Sequence, residues 1–215
     1  MLLGLGHFLV RVPAAQLKGE EKMTGSAMFK AVPGLVLMVV AAVPISSHAV
    51  DVRPVFKAGI DTGGDTIFTA TFTDGKKDSI KANEGLYVGG GVSVLNDSKN
   101  IETEVTANVK YTSITASNGD VSWTRYPLEA LVFYRMPQFR VGGGLTYHVS
   151  PKLSGSGVAG GVNVKVDDAL GVVLQGDWLI TQRVSLGLRY TNLSYKANGV
   201  SANSDGVGIT FGFRF

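Results

Sequence analysis

The residues with the most chemical potential are His148 and Ser150, separated by Val149. Residues two apart on an extended strand share a face, so the imidazole could take the serine's proton and make it a nucleophile, provided an acid oriented the ring. That acid is missing. Pro151 follows the pair and no Glu lies beyond Glu129, so the expectation is a hydrogen-bonded histidine on an inner face, with Ser150 beside it, and the chain is expected not to be an enzyme. Gly155-Ser156-Gly157-Val158-Ala159-Gly160 has the spacing of a phosphate-cradling turn. That chemistry needs a strand before the motif and a helix after it, whereas the flanks here read as a loop and another strand. Asp167-Asp168 could hold a divalent cation and Lys76-Lys77 could touch phosphate groups, but solvated loop charges explain both. No cofactor is expected.

What positions these residues is a series of strands. Apolar residues alternate with polar or small ones over stretches of about ten, separated by turn residues, which is the pattern of a lipid-facing barrel wall. The last stretch shows it best: from Val207 to Phe215 every odd position is apolar, ending in Phe211, Phe213 and Phe215. Further strands are expected over 52–60, 86–95, 100–113, 122–135, 139–149, 170–180 and 184–196. Leu188, Leu174, Val141, Val132, Val105 and Val88 then face outward. Glu102, Glu104, Lys110, Arg125, Glu129, Arg140, His148, Asp177, Arg189 and Arg214 face a lumen. Charges of both signs in a confined space should pair, because an unpaired buried charge costs several kcal/mol. A wide aqueous pore is therefore not expected.

Short turns at 96–99, 136–138 and 181–183 alternate with longer connections at 61–83, 114–121, 150–169 and 197–204. In bacterial barrels the short turns are periplasmic and the long loops extracellular, so eight strands leave both termini in the periplasm. A ninth candidate, 65–73, would put one terminus outside and is read instead as a hairpin with 78–82, turning at Asp74-Gly75. The aromatics form two girdles. Phe215, Tyr134, Phe139 and Trp178 lie at the periplasmic ends, and Tyr111, Tyr126, Tyr147 and Tyr195 at the outer ends.

Composition agrees with a membrane barrel. Charged residues are only 17% of the chain, Gly numbers 28, Cys is absent and the mean hydropathy is +0.19. The run Ala31 to Ile45, preceded by Lys30 and followed by Ser46-Ser47-His48-Ala49, reads as a signal peptide over 23–49, cleaved after Ala49. Residues 1–22 fit badly before a signal peptide and are read as an over-extended gene start, with translation beginning at Met23 or Met28. The discarded 49 residues hold four of the 20 Lys and Arg and two of the 17 Asp and Glu, so 16 and 15 remain, a net of +1. A nucleic-acid partner loses its support at that charge.

The aromatic-ended last strand and the strand rhythm resemble the small outer-membrane β-barrel proteins of the OmpA/OmpX type and the related OmpW-like channels. The resemblance covers the barrel domain, 50–215. It implies an all-β, transmembrane antiparallel barrel of eight strands in the cell outer membrane, among lipid and lipopolysaccharide. It also implies that Phe211, Phe213 and Phe215 are read by the barrel-assembly machinery during biogenesis. The implied role is structural, at the envelope surface, with a passive channel for small apolar solutes as the alternative. A second alternative is a lipid A-modifying enzyme, since His148-Val149-Ser150 is similar to the His-x-Ser pair of the outer-membrane lipid A deacylases.

Overall fold

The computed structural model describes residues 8–10, 51–197 and 199–215. The segments read as gene-start extension and signal peptide lie outside these residues, except for a three-residue strand, Phe8–Val10, paired antiparallel with residues 70–72.

Eight strands make a closed ring: β1 (Asp51–Gly63), β2 (Gly85–Leu95), β3 (Ile101–Ala116), β4 (Gly119–Arg135), β5 (Phe139–Gly155), β6 (Ala169–Leu179), β7 (Val184–Ala197) and β8 (Gly206–Arg214). Each is antiparallel to its neighbour in the chain. The ring closes where β8 meets β1, with Phe213 opposite Phe56 and Ile209 opposite Ile60. Closure leaves no edge for lipid to leave unbonded. Asp51 and Phe215 both lie at the short-turn end, where the Phe215 N–H donates to the Pro54 carbonyl at 3.1 Å.

The wall is inverted relative to a soluble protein. Leu188 is 69% exposed, Leu86 64% and Leu174 61%, while Arg189, Tyr87 and Gln175, which alternate with them, are buried. So much exposed apolar surface suits lipid and not water. Phe215, Tyr134, Phe139 and Trp178 are exposed at the short-turn end, and Tyr111 and Tyr126 at the other. The connections have the turn chemistry their residues suggest. Asn96 Oδ1 accepts the N–H groups of Asn100 and Ile101, each at 3.0 Å, and Thr181 Oγ1 accepts those of Arg183 and Val184. The first long connection carries a hairpin, Thr66–Phe72 and Lys77–Lys81, turning through Gly75 at φ +81°. At its tip the Lys76 N–H and ammonium hold the Asp74 carboxyl below its usual range.

Strands extend well into two expected loops. β3 and β4 run on to a turn at Ser117-Asn118, and β5 continues to Gly155. Their alternation reverses above the wall. On β4, Tyr126 and Val132 point out, yet Val121 and Trp123 are buried; on β3, Val109 and Tyr111 point out, yet Ile114 and Ala116 are buried. Apolar residues face lipid below this level and one another above it. The upper residues, with Phe68, Ile80, Leu153, Leu193 and Tyr195, form an apolar core above the lipid-facing wall.

Tyr195 is therefore not a girdle residue. It is 3% exposed and packs its ring edge-on to Trp123, 5.4 Å between centroids. Ser150 also departs from expectation. The register of β4 and β5 slips between Thr124 and Tyr126, Ser150 takes a φ of +47°, and the bulge turns Ser150 outward while burying Pro151 and Leu153.

Candidate functional site: the lumen and its two ends

Period-two geometry points every second side chain of each barrel strand inward, and among the described residues the inward set includes seven buried cations and five buried carboxylates. They are Lys57, Lys110, Arg125, Arg135, Arg140, Arg189 and Arg214 against Asp61, Glu102, Glu104, Glu129 and Asp177. Lys57, Asp61 and Arg135 were not singled out from sequence. Lys57 and Asp61 stand on β1, where Pro54, Ala58 and Gly59 blur the alternation, and Arg135 ends β4 beside a turn.

At the short-turn end Glu102 lies beneath three guanidinium groups, accepting from Arg135 Nη1 at 2.9 Å and from Arg214 Nη1 at 2.8 Å, with Arg140 Nη1 at ion-pair distance, 2.8 Å. The Ser93 hydroxyl donates to the same carboxylate at 2.6 Å. Arg140 also reaches Glu104 at 2.5 Å and Asp177 at 2.7 Å, and lies 4.2 Å over the Phe133 ring. Lys57 Nζ is 3.2 Å from Glu104. Halfway up, Lys110 Nζ pairs with Asp61 at 2.5 Å and donates to Asn83 Oδ1 at 2.9 Å, while Arg189 pairs with Glu129 at 2.5 Å and stacks on Tyr87. Inward glycines make room for this network: a Cβ on Gly208 would collide with the Asp61 carboxylate, and one on Gly187 with that of Asp177.

The upper end is plugged by the chain itself. Arg125 has no carboxylate within ion-pair distance among the described residues; it donates instead to the carbonyls of Ala82, at 2.5 Å, and Glu84. Trp123 Nε1 adds a bond to the Ala82 carbonyl at 3.1 Å. Residues 82–84, the foot of the hairpin, are thus held across the mouth, beneath the apolar core. Halfway up, a cavity bounded by Asp61, Tyr87, Lys110, Glu129, His148 and Arg189 is about 10 Å³, room for about one water. A larger hollow of about 1170 Å³ is bordered by the outward side chains of Ile60, Leu86, Tyr111, Leu188 and Ile209 and also by Asp61, Glu84, Gln175 and Arg189.

His148 is buried, with Nδ1 2.5 Å from the Tyr195 hydroxyl, and the exposed Ser150 is turned away from the inner face. The His-x-Ser couple is not assembled. Asp168 is occupied as a brace for the bulge, accepting the Ser150 N–H at 2.8 Å and the Tyr147 hydroxyl at 3.0 Å, and no cluster of potential metal ligands forms among the described residues. In the glycine motif a three-residue 3-10 turn, Gly157–Ala159, stands where a dinucleotide site needs a helix. Phe211, Phe213 and Phe215 line the outer face of β8, with the last two rings edge-on at 4.9 Å.

No family model and no curated protein matches the sequence. Among solved structures the chain is similar to Ail, the attachment invasion locus protein of Yersinia pestis, in complex with the heparin analogue sucrose octasulfate (11% identity, 78% of this chain and 100% of that chain, TM-score 0.49). It is similar to Neisserial surface protein A (14%, 78% and 98%, 0.47) and to the outer membrane channel DcaP of Acinetobacter baumannii (12%, 78% and 54%, 0.30). These are resemblances between barrels, and what those proteins bind or conduct does not transfer on them.

Proposed function

We propose that this chain is a non-enzymatic outer-membrane barrel whose wall braces the envelope and whose extension beyond the lipid presents a rigid surface to the outside. In this reading residues 23–49 lead export, the short turns lie in the periplasm, and Lys76-Lys77 at the hairpin tip contacts lipopolysaccharide phosphates. The observation that carries it is the closed lumen. Ion pairs fill the barrel, and the carbonyls of Ala82 and Glu84 are pinned over its mouth by Arg125 and Trp123. A passive channel needs a continuous path. For an apolar solute that path would have to cross buried charges, where desolvation opposes it.

Planar-bilayer recording tests this reading directly. The folded protein is expected to give no discrete conductance steps, whereas reproducible steps in wild type would make it a channel. The enzymatic alternative has its own readout, since the mass spectrum of lipid A is expected to be identical with and without the protein.

A further inference from the structure

The cations of the short-turn end outnumber the carboxylates that serve them. Glu102 is shared by Arg135, Arg140 and Arg214, and only two of the five N–H donors on Arg135 and on Arg214 have acceptors among the described residues, Glu102 and Gln182 in each case. Both guanidinium groups border a cavity of about 330 Å³ at the barrel's short-turn mouth, together with Arg53, Lys99, Gln182 and Asp51. Asp51 is already engaged by Arg53 at 2.7 Å. Lys99 has no ion pair among the described residues and is placed at the rim by its turn, where its φ is +56°. Four cations thus surround a space with one carboxylate on its edge. The two innermost are held rigidly from behind by Glu102 and Gln182, so little side-chain entropy remains to be lost on binding.

We propose that this mouth is a binding site for a phosphate-class oxyanion. Planar guanidinium forks suit tetrahedral oxyanions, donating paired N–H bonds to two oxygens that a point charge cannot orient. At about 30 Å³ per water the cavity has room for roughly ten waters, enough for one such anion with part of its hydration. The anion would relieve the excess positive charge that Glu102 leaves unbalanced.

The test is isothermal titration of inorganic phosphate into the protein purified from outer membranes in dodecyl maltoside, in a low-salt buffer free of other oxyanions. One saturable site per chain is expected. The double variant Arg53→Gln/Lys99→Gln lies outside the Glu102 network and should fold, as checked by gel mobility before and after boiling, yet bind at least tenfold more weakly. Arg135→Gln should weaken binding by a similar factor. Absence of saturable binding to folded wild type, unchanged affinity in both variants, or displacement by an equal concentration of chloride overturns the proposal. Nanodiscs separate the sources. If phosphatidylglycerol, but not phosphatidylcholine, abolishes phosphate uptake, the site stands and its occupant is an anionic lipid headgroup; if uptake persists in both, the site stands and its occupant is a soluble anion.

Discussion

Glu102 supports three guanidinium groups with one carboxylate, so the two sides of that pairing are not equivalent. Glu102→Gln should destabilise the barrel by about 3–5 kcal/mol, since breaking a buried pair leaves uncompensated charge. Arg135→Gln removes one of a surplus of cations and should cost clearly less; urea unfolding of refolded protein ranks the two, and the reverse order would show that the lumen is not short of negative charge. On the opposite face Leu188 should tolerate Val but lose about 2–4 kcal/mol as Arg, the cost of a cation facing lipid near the midplane. The lumen charges were legible because a strand's period of two leaves a buried charge only one face to take. What escaped notice had local causes. Lys57 and Asp61 sit on a strand whose outer face includes Pro54 and Ala58, too weak to announce its parity. Ser150 was placed inward by counting from His148, and counting fails across a bulge.

Strand β8 must find β1 to close the ring, and its outer face is built from Val207, Ile209, Phe211, Phe213 and Phe215. Phe215 contributes one backbone bond to Pro54 and a ring against Phe213. Deleting it should lower the stability of refolded barrel by only about 1–3 kcal/mol, the worth of one partly buried aromatic. If the C-terminal aromatics are the assembly signal, the amount reaching the outer membrane in cells should fall far more, as fractionation and blotting would show. Wild-type levels of the deletion mutant would reduce Phe215 to one more girdle residue. The eight strands were readable because their outward faces are apolar over ten residues. The upper ends of β3, β4 and β5 were not, because the alternation inverts or slips there. On β7 the strand was readable but the facing of its upper end was not: Leu193 and Tyr195 continue the inward parity of Arg189 and Thr191, but with apolar side chains. A tyrosine near a strand's outer end looks like a girdle until parity is followed through to it.

Taken whole, the molecule is two structures on one set of strands. Within the wall it is apolar outside and charged inside; above the wall it is polar outside with an apolar core around Trp123. The two levels meet at Arg125, which has the charge of the lower level and the carbonyl partners of the upper. Their stabilities should be separable, because the wall is held by a closed ring of backbone bonds that SDS does not readily open, whereas the upper core depends on side-chain packing. Unboiled protein should therefore migrate differently from boiled protein, and identical mobility would count heavily against the closed ring. Trp123→Ala removes a fully buried ring and its bond to the Ala82 carbonyl, at a cost of about 3–5 kcal/mol confined to the upper level. Limited proteolysis of intact cells should then cut the hairpin region 66–81 much faster than in wild type, while the mobility shift on boiling persists. If the variant loses that shift as readily as it gains cleavage, the upper core is part of one cooperative unit with the wall, and the mouth is closed by the barrel as a whole rather than by a separately packed lid.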